Sequence, residues 1–121
     1  VSLESILGYL FSGFAYVMGV PSQDIHAVGG LMGTKLVVNE FVGYLHLKDL
    51  ISTLQPNSVV IATFALCGFA NFSSIAIQVG GIGKIAPSRR TDLAKLGFKA
   101  LLCGTLANYL SATIAGIMLW F

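Results

Sequence analysis

A lone acid, Glu40, lies in a largely apolar stretch and is the residue that most needs a chemical explanation. If that stretch is in lipid, an ionisable side chain costs at least about 2.5 kcal/mol there and is tolerated only beside a partner or water. Two interpretations account for Glu40: it accepts hydrogen bonds from a polar solute, or it forms a structural pair with Lys35 or another polar neighbour. Asn39 follows Lys35 by four residues and can share its helix face, so we expect a Lys35–Asn39 contact that leaves Glu40 the freer group.

Asn71 and Ser74 offer an amide and a hydroxyl three residues apart. On a helix this spacing places both on one face, from which they can bond the hydroxyls of a solute. The alternative is that they join neighbouring helices, as small polar residues do inside membranes. We expect that second role for the polar residues of the last apolar segment, Thr105, Asn108, Ser111 and Thr113.

The composition indicates an integral membrane protein. Only 10% of the 121 residues are charged, against roughly 25% in ordinary soluble domains, and the mean hydropathy is +0.83. Residues 50–83 and 100–121 carry no charged side chain, and each stretch exceeds the roughly 20 residues that a spanning helix needs. The formal net charge of +2, without basic residues interleaved with aromatics, excludes a nucleic-acid-binding protein.

Helical periodicity and chain breakers predict an all-α fold in four parts. Residues 1–20 form an amphipathic helix that lies in the membrane interface or just spans, and Pro21 ends it. Residues 22–47 form a re-entrant hairpin, because arms of about ten residues reach only about 15 Å. Its tip is expected at the glycines Gly29, Gly30 and Gly33.

The remaining two parts are membrane spans. Residues 57–83 predict a discontinuous transmembrane helix, weakened at Gly80, Gly81 and Gly83, and residues 91–121 predict a final transmembrane helix. Residues 84–99 contain five basic side chains and one acid, which is typical of a cytoplasmic loop. The C-terminus and the open end of the hairpin are then outside the cell, and the protein is expected to be a multi-pass component of the plasma or inner membrane.

Sites for bound groups are not expected in this chain. Cys67 and Cys103 lack metal-ligand spacing, so both are predicted to be small packing residues. The glycine-rich residues 81–86 follow a span rather than a strand, which excludes a dinucleotide loop. A hydrolase with Ser74 as nucleophile would need a nearby base, and the sequence offers none. We therefore predict no cofactor, no metal site and no enzyme activity.

Residues 33–44, GTKLVVNEFVGY, resemble the signature of concentrative nucleoside transporters. That signature is Gly or Ala, any residue, Lys, three apolar positions, then Asn-Glu-Phe-Val-Ala and an aromatic residue or Met. Residues 64–77 resemble the broken helix of the same family and residues 86–90 its following loop. The one departure is Gly43, where the family usually has Ala.

The resemblance implies nucleoside uptake coupled to sodium or protons. Family members are several times longer and are built from two inverted repeats, so this chain is expected to be a fragment corresponding to the second repeat. The resemblance implies that Glu40, Asn71 and Ser74 contact the ribose, with Phe69 beside them. It also implies supporting roles for the other residues of the signature, Lys35, Asn39, Gly33 and Thr34.

The same resemblance implies that the coupling cation binds mainly to the absent first repeat. It further implies that the full-length protein is a homotrimer assembled through a scaffold domain outside this chain. A different class of function stays open from the sequence: a membrane-embedded assembly or regulatory helical module, in which the polar groups only pack helices together.

Overall fold

The computed structural model describes residues 2–121, apart from the side chain of Glu4. Val1, which the predicted first helix includes, lies outside the described residues. Residues 2–121 form six helices and one short 3₁₀ turn, Pro87–Arg89, and contain no strand. The helices are α1 (Leu3–Val17), α2 (Ile25–Val37), α3 (Glu40–Leu50), α4 (Pro56–Leu66), α5 (Phe72–Ile85) and α6 (Arg90–Met118). The predicted all-α fold is confirmed.

Local sequence sets where several helices begin and end. Asn39 and Asn71 cap α3 and α5 with their side chains, and Pro56 occupies the first turn of α4. Helix α1 ends at Val17, before Pro21, and Gly19 follows with a φ of 89°, which is strained for a residue with a side chain. The Val20 N–H then bonds back to the Ala15 carbonyl at 3.1 Å, which satisfies one of the last carbonyls of α1.

The glycines of α2 pack against α1 rather than forming the hairpin tip, so the predicted tip was wrong. A Cβ on Gly29 would lie 2.7 Å from the Gly8 carbonyl oxygen, and one on Gly33 would lie 2.3 Å from the Leu7 Cβ. These residues are glycine because the two helices approach so closely there. The chain turns instead at Val38 and Asn39, between α2 and α3.

A buried acid fixes the open end of the hairpin to the next helix. The Asp24 carboxylate, just before α2, accepts hydrogen bonds from the Ser58 hydroxyl at 2.5 Å and the Gln55 N–H at 2.8 Å. Asp24 is only 5% exposed and Ser58 is fully buried. The first turn of α4 is thereby held against the start of α2.

The discontinuity in the predicted third part lies at residues 67–71, between α4 and α5. Gly80, Gly81 and Gly83, where weakening was expected, lie inside α5. The break lies at Asn71 because its side chain accepts a hydrogen bond from an amide in the first turn of α5, which stabilises the start of a new helix there. The glycines only lower helix propensity and do not end α5. Helices α4 and α5 have 11 and 14 residues.

Helix α6 is the one helix in residues 2–121 long and apolar enough to cross a membrane, over Pro87–Met118 with its preceding turn. A row of its side chains at three- and four-residue steps is buried: Leu101, Thr105, Tyr109, Ala112 and Gly116. A second row is apolar but exposed: Leu102, Leu106, Leu110, Ile114 and Ile117. An apolar face of this extent is suited to lipid or to another protein surface rather than to water.

Two glycine substitutions test the close packing of α1 on α2. We expect Gly33→Ala to destabilise the protein by about 1–3 kcal/mol, because the added carbon overlaps the Leu7 Cβ. The matched control is Gly80→Ala, where nothing lies within 4 Å of the added carbon. There the gain in helix propensity should stabilise by about 0.5–1 kcal/mol. Thermal unfolding of the purified variants measures both, and equal effects of the two changes would contradict the packing described.

Candidate functional site

The two interruptions in the helices, at the hairpin tip and at residues 67–71, lie against each other. The Asn71 Nδ2 donates a hydrogen bond to Glu40 Oε2 at 3.1 Å, and the Ser73 hydroxyl donates to the Val38 carbonyl at 3.2 Å. One bond joins the side chains of the two interruptions, and the other joins the start of α5 to the backbone of the tip. Glu40 and Asn71, predicted from sequence as site residues, are therefore brought together.

Asn71 and Ser74 are joined by a capping box rather than by sharing a helix face, so that detail of the prediction was wrong. Asn71 is extended, with φ −152° and ψ 170°, and precedes the first turn of α5. Its Oδ1 accepts from the Ser74 N–H at 2.8 Å, and its own N–H donates to the Ser74 hydroxyl at 3.1 Å. The Ser74 hydroxyl in turn donates to the Asn71 carbonyl at 2.7 Å.

Glu40 lies in the first turn of α3, where the electrostatics favour an acid. The amides at a helix N-terminus carry partial positive charge, and α3 begins at Glu40 while α5 begins just after its partner Asn71. Glu40 is half-buried, whereas Asn71 is 1% exposed. Within residues 2–121, Oε1 of Glu40 accepts no hydrogen bond, so the carboxylate keeps capacity for a further donor.

The predicted contact between Lys35 and Asn39 does not form. The Asn39 side chain accepts from the Val42 N–H at 2.9 Å and so caps α3. Lys35 is fully buried, and its Nζ has no hydrogen-bond partner within the described residues. Sequence spacing placed both on one helix face, but the turn at residues 38–39 separates them.

Gly33 and Thr34, predicted as support for the site, do not join the Glu40–Asn71 cluster. Gly33 faces Leu7 of α1, and the Thr34 hydroxyl donates to the Gly30 carbonyl of its own helix at 3.0 Å. Thr34 instead lines an open cavity of about 470 Å³ between α1 and the hairpin, together with His26, His46 and Asp49.

A smaller cavity of about 230 Å³ lies beside the start of α5, against α6. Ser74 and Phe69 both line it, together with Gln78, and Phe69 is 59% exposed. Glu40 and Asn71 do not line this cavity, although Asn71 is bonded directly to Ser74. Hydrogen bonds thus connect Glu40 to Asn71 and Asn71 to Ser74, and Ser74 lines the smaller cavity.

Asn108, a residue of α6, stabilises the interruption at residues 67–71 between α4 and α5. Its Nδ2 donates a hydrogen bond to the Ala65 carbonyl, in the last turn of α4, which α4 itself leaves unpaired. A Cβ on Gly68 would lie 2.9 Å from the Asn108 Cγ, so the chain of the break passes directly over this side chain.

The predicted role of joining helices is right for Asn108 alone among the four polar residues of α6. Ser111 and Thr113 bond carbonyls of their own helix, and the buried Thr105 hydroxyl has no partner within the described residues. The sequence reasoning assigned no role to Ser73 or Asp24. A hydroxyl two residues after Asn71 and an acid three residues after Pro21 are the signals that could have drawn attention to them.

Comparison with known proteins identifies the family. The family model described as "Na+ dependent nucleoside transporter C-terminus" matches residues 1–116. The "Uncharacterized transporter YutK" of Bacillus subtilis is 55% identical over 119 residues, covering 98% of this chain and 30% of the relative. The "Nucleoside permease NupC" of Helicobacter pylori is 41% identical over 124 residues, with the same coverage of 98% and 30%.

Solved structures of CNTnw share the fold. In an inward-facing substrate-bound state, the match has a TM-score of 0.89 at 46% identity over 96% of this chain and 29% of CNTnw. A variant of CNTnw in an outward-facing state gives 0.88 at 45% identity, over 96% and 29%. A variant in an intermediate state gives 0.90 at 46% identity, over 97% and 30%.

The fold and these relatives define the class as a segment of a membrane transporter. The chain belongs to the Na+ dependent nucleoside transporter family and corresponds to the C-terminal part of its full-length members. It spans about 30% of the length of YutK and of CNTnw. The resemblance found in the sequence is confirmed, and a membrane location follows from the family.

Replacing each capping asparagine in turn distinguishes the stability due to a helix cap from the stability due to the Glu40–Asn71 hydrogen bond. Asn39→Ala should cost about 1 kcal/mol of stability, because α3 loses one cap bond. Asn71→Ala should cost about 2–3 kcal/mol, because α5 loses its cap and the half-buried Glu40 also loses its donor. Chemical or thermal unfolding of the two variants compares them. Equal losses would show that the Glu40–Asn71 bond contributes nothing.

Proposed function

We propose that this chain is the ribose-binding half of the substrate site in a nucleoside transporter coupled to sodium or protons. The observation that carries the proposal is the hydrogen bond between Glu40 and Asn71, formed where two interrupted helices meet. Ribose presents adjacent hydroxyls, which require both acceptors and donors within a short distance. The cluster offers both kinds, and the names of several relatives include nucleoside transport.

The remaining hydrogen-bonding capacity defines a role for each residue. Glu40 keeps Oε1 as an acceptor, and a charged acceptor bonds a hydroxyl about twice as strongly as a neutral one. Asn71 donates one of its two amide protons to Glu40 and keeps the other for the sugar. Ser74 keeps one lone pair after its bonds to the Asn71 backbone. Phe69, exposed beside Ser74, supplies an apolar wall for the sugar or the base.

The mechanism is motion of a bound solute rather than bond chemistry. This chain superposes about equally well on inward-facing, outward-facing and intermediate states of CNTnw. That uniformity supports a unit that moves as a whole while its exposure changes from one side of the membrane to the other. A cation and a nucleoside bind together, and the ion gradient drives the shift. The residues that hold the cation are mainly in the first repeat, outside this chain.

The lengths of the helices support their proposed placement in the membrane. Helices α2 and α3 have 13 and 11 residues, or about 20 and 16 Å, too short for a hydrocarbon core of about 30 Å. They therefore form a re-entrant hairpin with its tip near the midplane, as in transporters built from inverted repeats. Helix α1 lies in the interface and α6 spans.

The proposal also includes the orientation in the membrane and the oligomeric state. The structure forms residues 84–99 not as the predicted loop but as the end of α5, the 3₁₀ turn and the first turns of α6. This basic segment is cytoplasmic, the C-terminus is outside, and the protein is in the plasma or inner membrane. The full-length protein is a homotrimer whose scaffold lies outside this chain, and the first repeat supplies the contacts to the base.

Substitution of Glu40 tests the proposal in the full-length transporter. Glu40→Gln should abolish nucleoside uptake, because the neutral amide loses the charged acceptor, while membrane insertion and folding persist. The control is Asp49→Asn, an exposed acid on the same helix α3, which should leave uptake unchanged. Radiolabelled nucleoside uptake and size-exclusion profiles measure the two properties. Loss of folding equal to the loss of uptake would favour an assembly module without a substrate site.

The isolated chain provides a second test. We expect residues 1–121 alone to bind uridine without useful affinity, because the half of the site that contacts the base is in the remainder of the transporter. Isothermal calorimetry in detergent measures this directly. Micromolar binding by the isolated chain would contradict a site divided between two halves.

A further inference from the structure

Lys35 is a buried cation that the proposed ribose contacts leave unexplained. Its side chain is 0% exposed, and its Nζ has no hydrogen-bond partner within the described residues. An ammonium removed from water without a hydrogen-bond partner is destabilising. A methionine of similar length would fill the same volume without that penalty, so packing alone does not account for a lysine here.

Three helices enclose the Lys35 side chain directly behind the hairpin tip. A Cβ on Gly43 of α3 would lie 3.5 Å from the Lys35 Cβ and 2.9 Å from Leu66 Cδ2, at the end of α4. Glu40 is the acid whose charge acts on Lys35. Because Lys35 is fully enclosed by this chain, its charge stays in a fixed position relative to Glu40.

The ends of the interrupted helices separate the two charges. Lys35 lies in the last turn of α2 and packs near the last residue of α4, Leu66, so it is close to two helix C-termini with partial negative charge. Glu40 lies in the first turn of α3 and bonds the cap of α5, so it is close to two helix N-termini with partial positive charge. Each charge therefore lies at the kind of helix end that favours its sign.

We propose that Lys35 is a positioning residue for Glu40, a fixed buried positive charge that holds the carboxylate in place beside Asn71. This inference rests on the proposed function. Lys35 does not touch the substrate; it acts through Glu40, whose remaining acceptor oxygen is the group that a sugar hydroxyl meets. The arrangement gives up stability at Lys35 for a directed acceptor at Glu40.

The test uses Lys35→Met in a full-length transporter that contains this chain, with Lys48→Met as the control. Lys48 is exposed and lies on the same hairpin. The apparent KM for uridine is compared with that for analogues lacking the 2′ or 3′ hydroxyl. We expect the preference for uridine to fall about tenfold in Lys35→Met, the equivalent of one charge-assisted hydrogen bond, with the maximal rate for the analogues retained. Lys48→Met should keep the wild-type preference.

Thermal stability supplies the readout that separates positioning from structure. Lys35→Met should unfold at the same or a higher temperature than the wild type, since a buried unpaired charge is removed. An unchanged preference for the hydroxylated substrate in a folded, active Lys35→Met protein would overturn the inference and leave the proposed function standing. Absence of nucleoside uptake in the wild type would overturn both.

A second variant covers the case in which Lys35→Met does not fold. The double substitution Lys35→Met with Glu40→Gln removes both charges. Recovery of folded protein would support the inference, because it would show that Glu40 without its counter-charge was the cause. Continued failure of the double variant to fold would overturn it, because Lys35 would then be required for structure independently of Glu40.

Discussion

The hydrogen bond from Asn71 to Glu40 connects two places where helices stop, and the rest of the site depends on that connection. An interrupted helix leaves amides and carbonyls unpaired, which is costly in an apolar surrounding. Here a side chain meets each of the four helix ends: Asn39 and Asn71 cap α3 and α5, Asn108 donates to a carbonyl at the end of α4, and Ser73 donates to the Val38 carbonyl at the end of α2. The Glu40 carboxylate meanwhile keeps one oxygen with no hydrogen-bond partner in residues 2–121.

The interruptions also determine which helix ends lie near Glu40 and Lys35. Two helix N-termini converge near Glu40, while Lys35 lies with two helix C-termini behind it, so that a single acid is stabilised by backbone dipoles as well as by its neighbours. The close packing of α1 on α2 through glycines, and the Asp24 clamp between α2 and α4, hold these helix ends in place. Rigid supports of this kind are what a binding site on short helices requires.

The all-α fold, and the grouping of Glu40, Asn71 and Ser74, could be predicted from the sequence, because polar groups in apolar stretches carry a clear physical signal. The position of the hairpin tip could not. Gly29 and Gly33 suit a turn and a close helix contact equally well, and only the packing of Leu7 against Gly33 decides between them. Residue spacing also predicted wrongly that Lys35 and Asn39, and likewise Asn71 and Ser74, share a helix face. Each asparagine caps a helix and therefore lies outside its regular periodicity.

The central claim is that Glu40 and Asn71 meet the sugar of a nucleoside. A structure of the full-length transporter with a bound nucleoside tests it most directly. The account predicts ribose hydroxyls within hydrogen-bonding distance, about 2.5–3.2 Å, of the Glu40 carboxylate and of the Asn71 amide. A nucleoside bound elsewhere, with Glu40 still bonded to Asn71 and touching no part of the sugar, would contradict it.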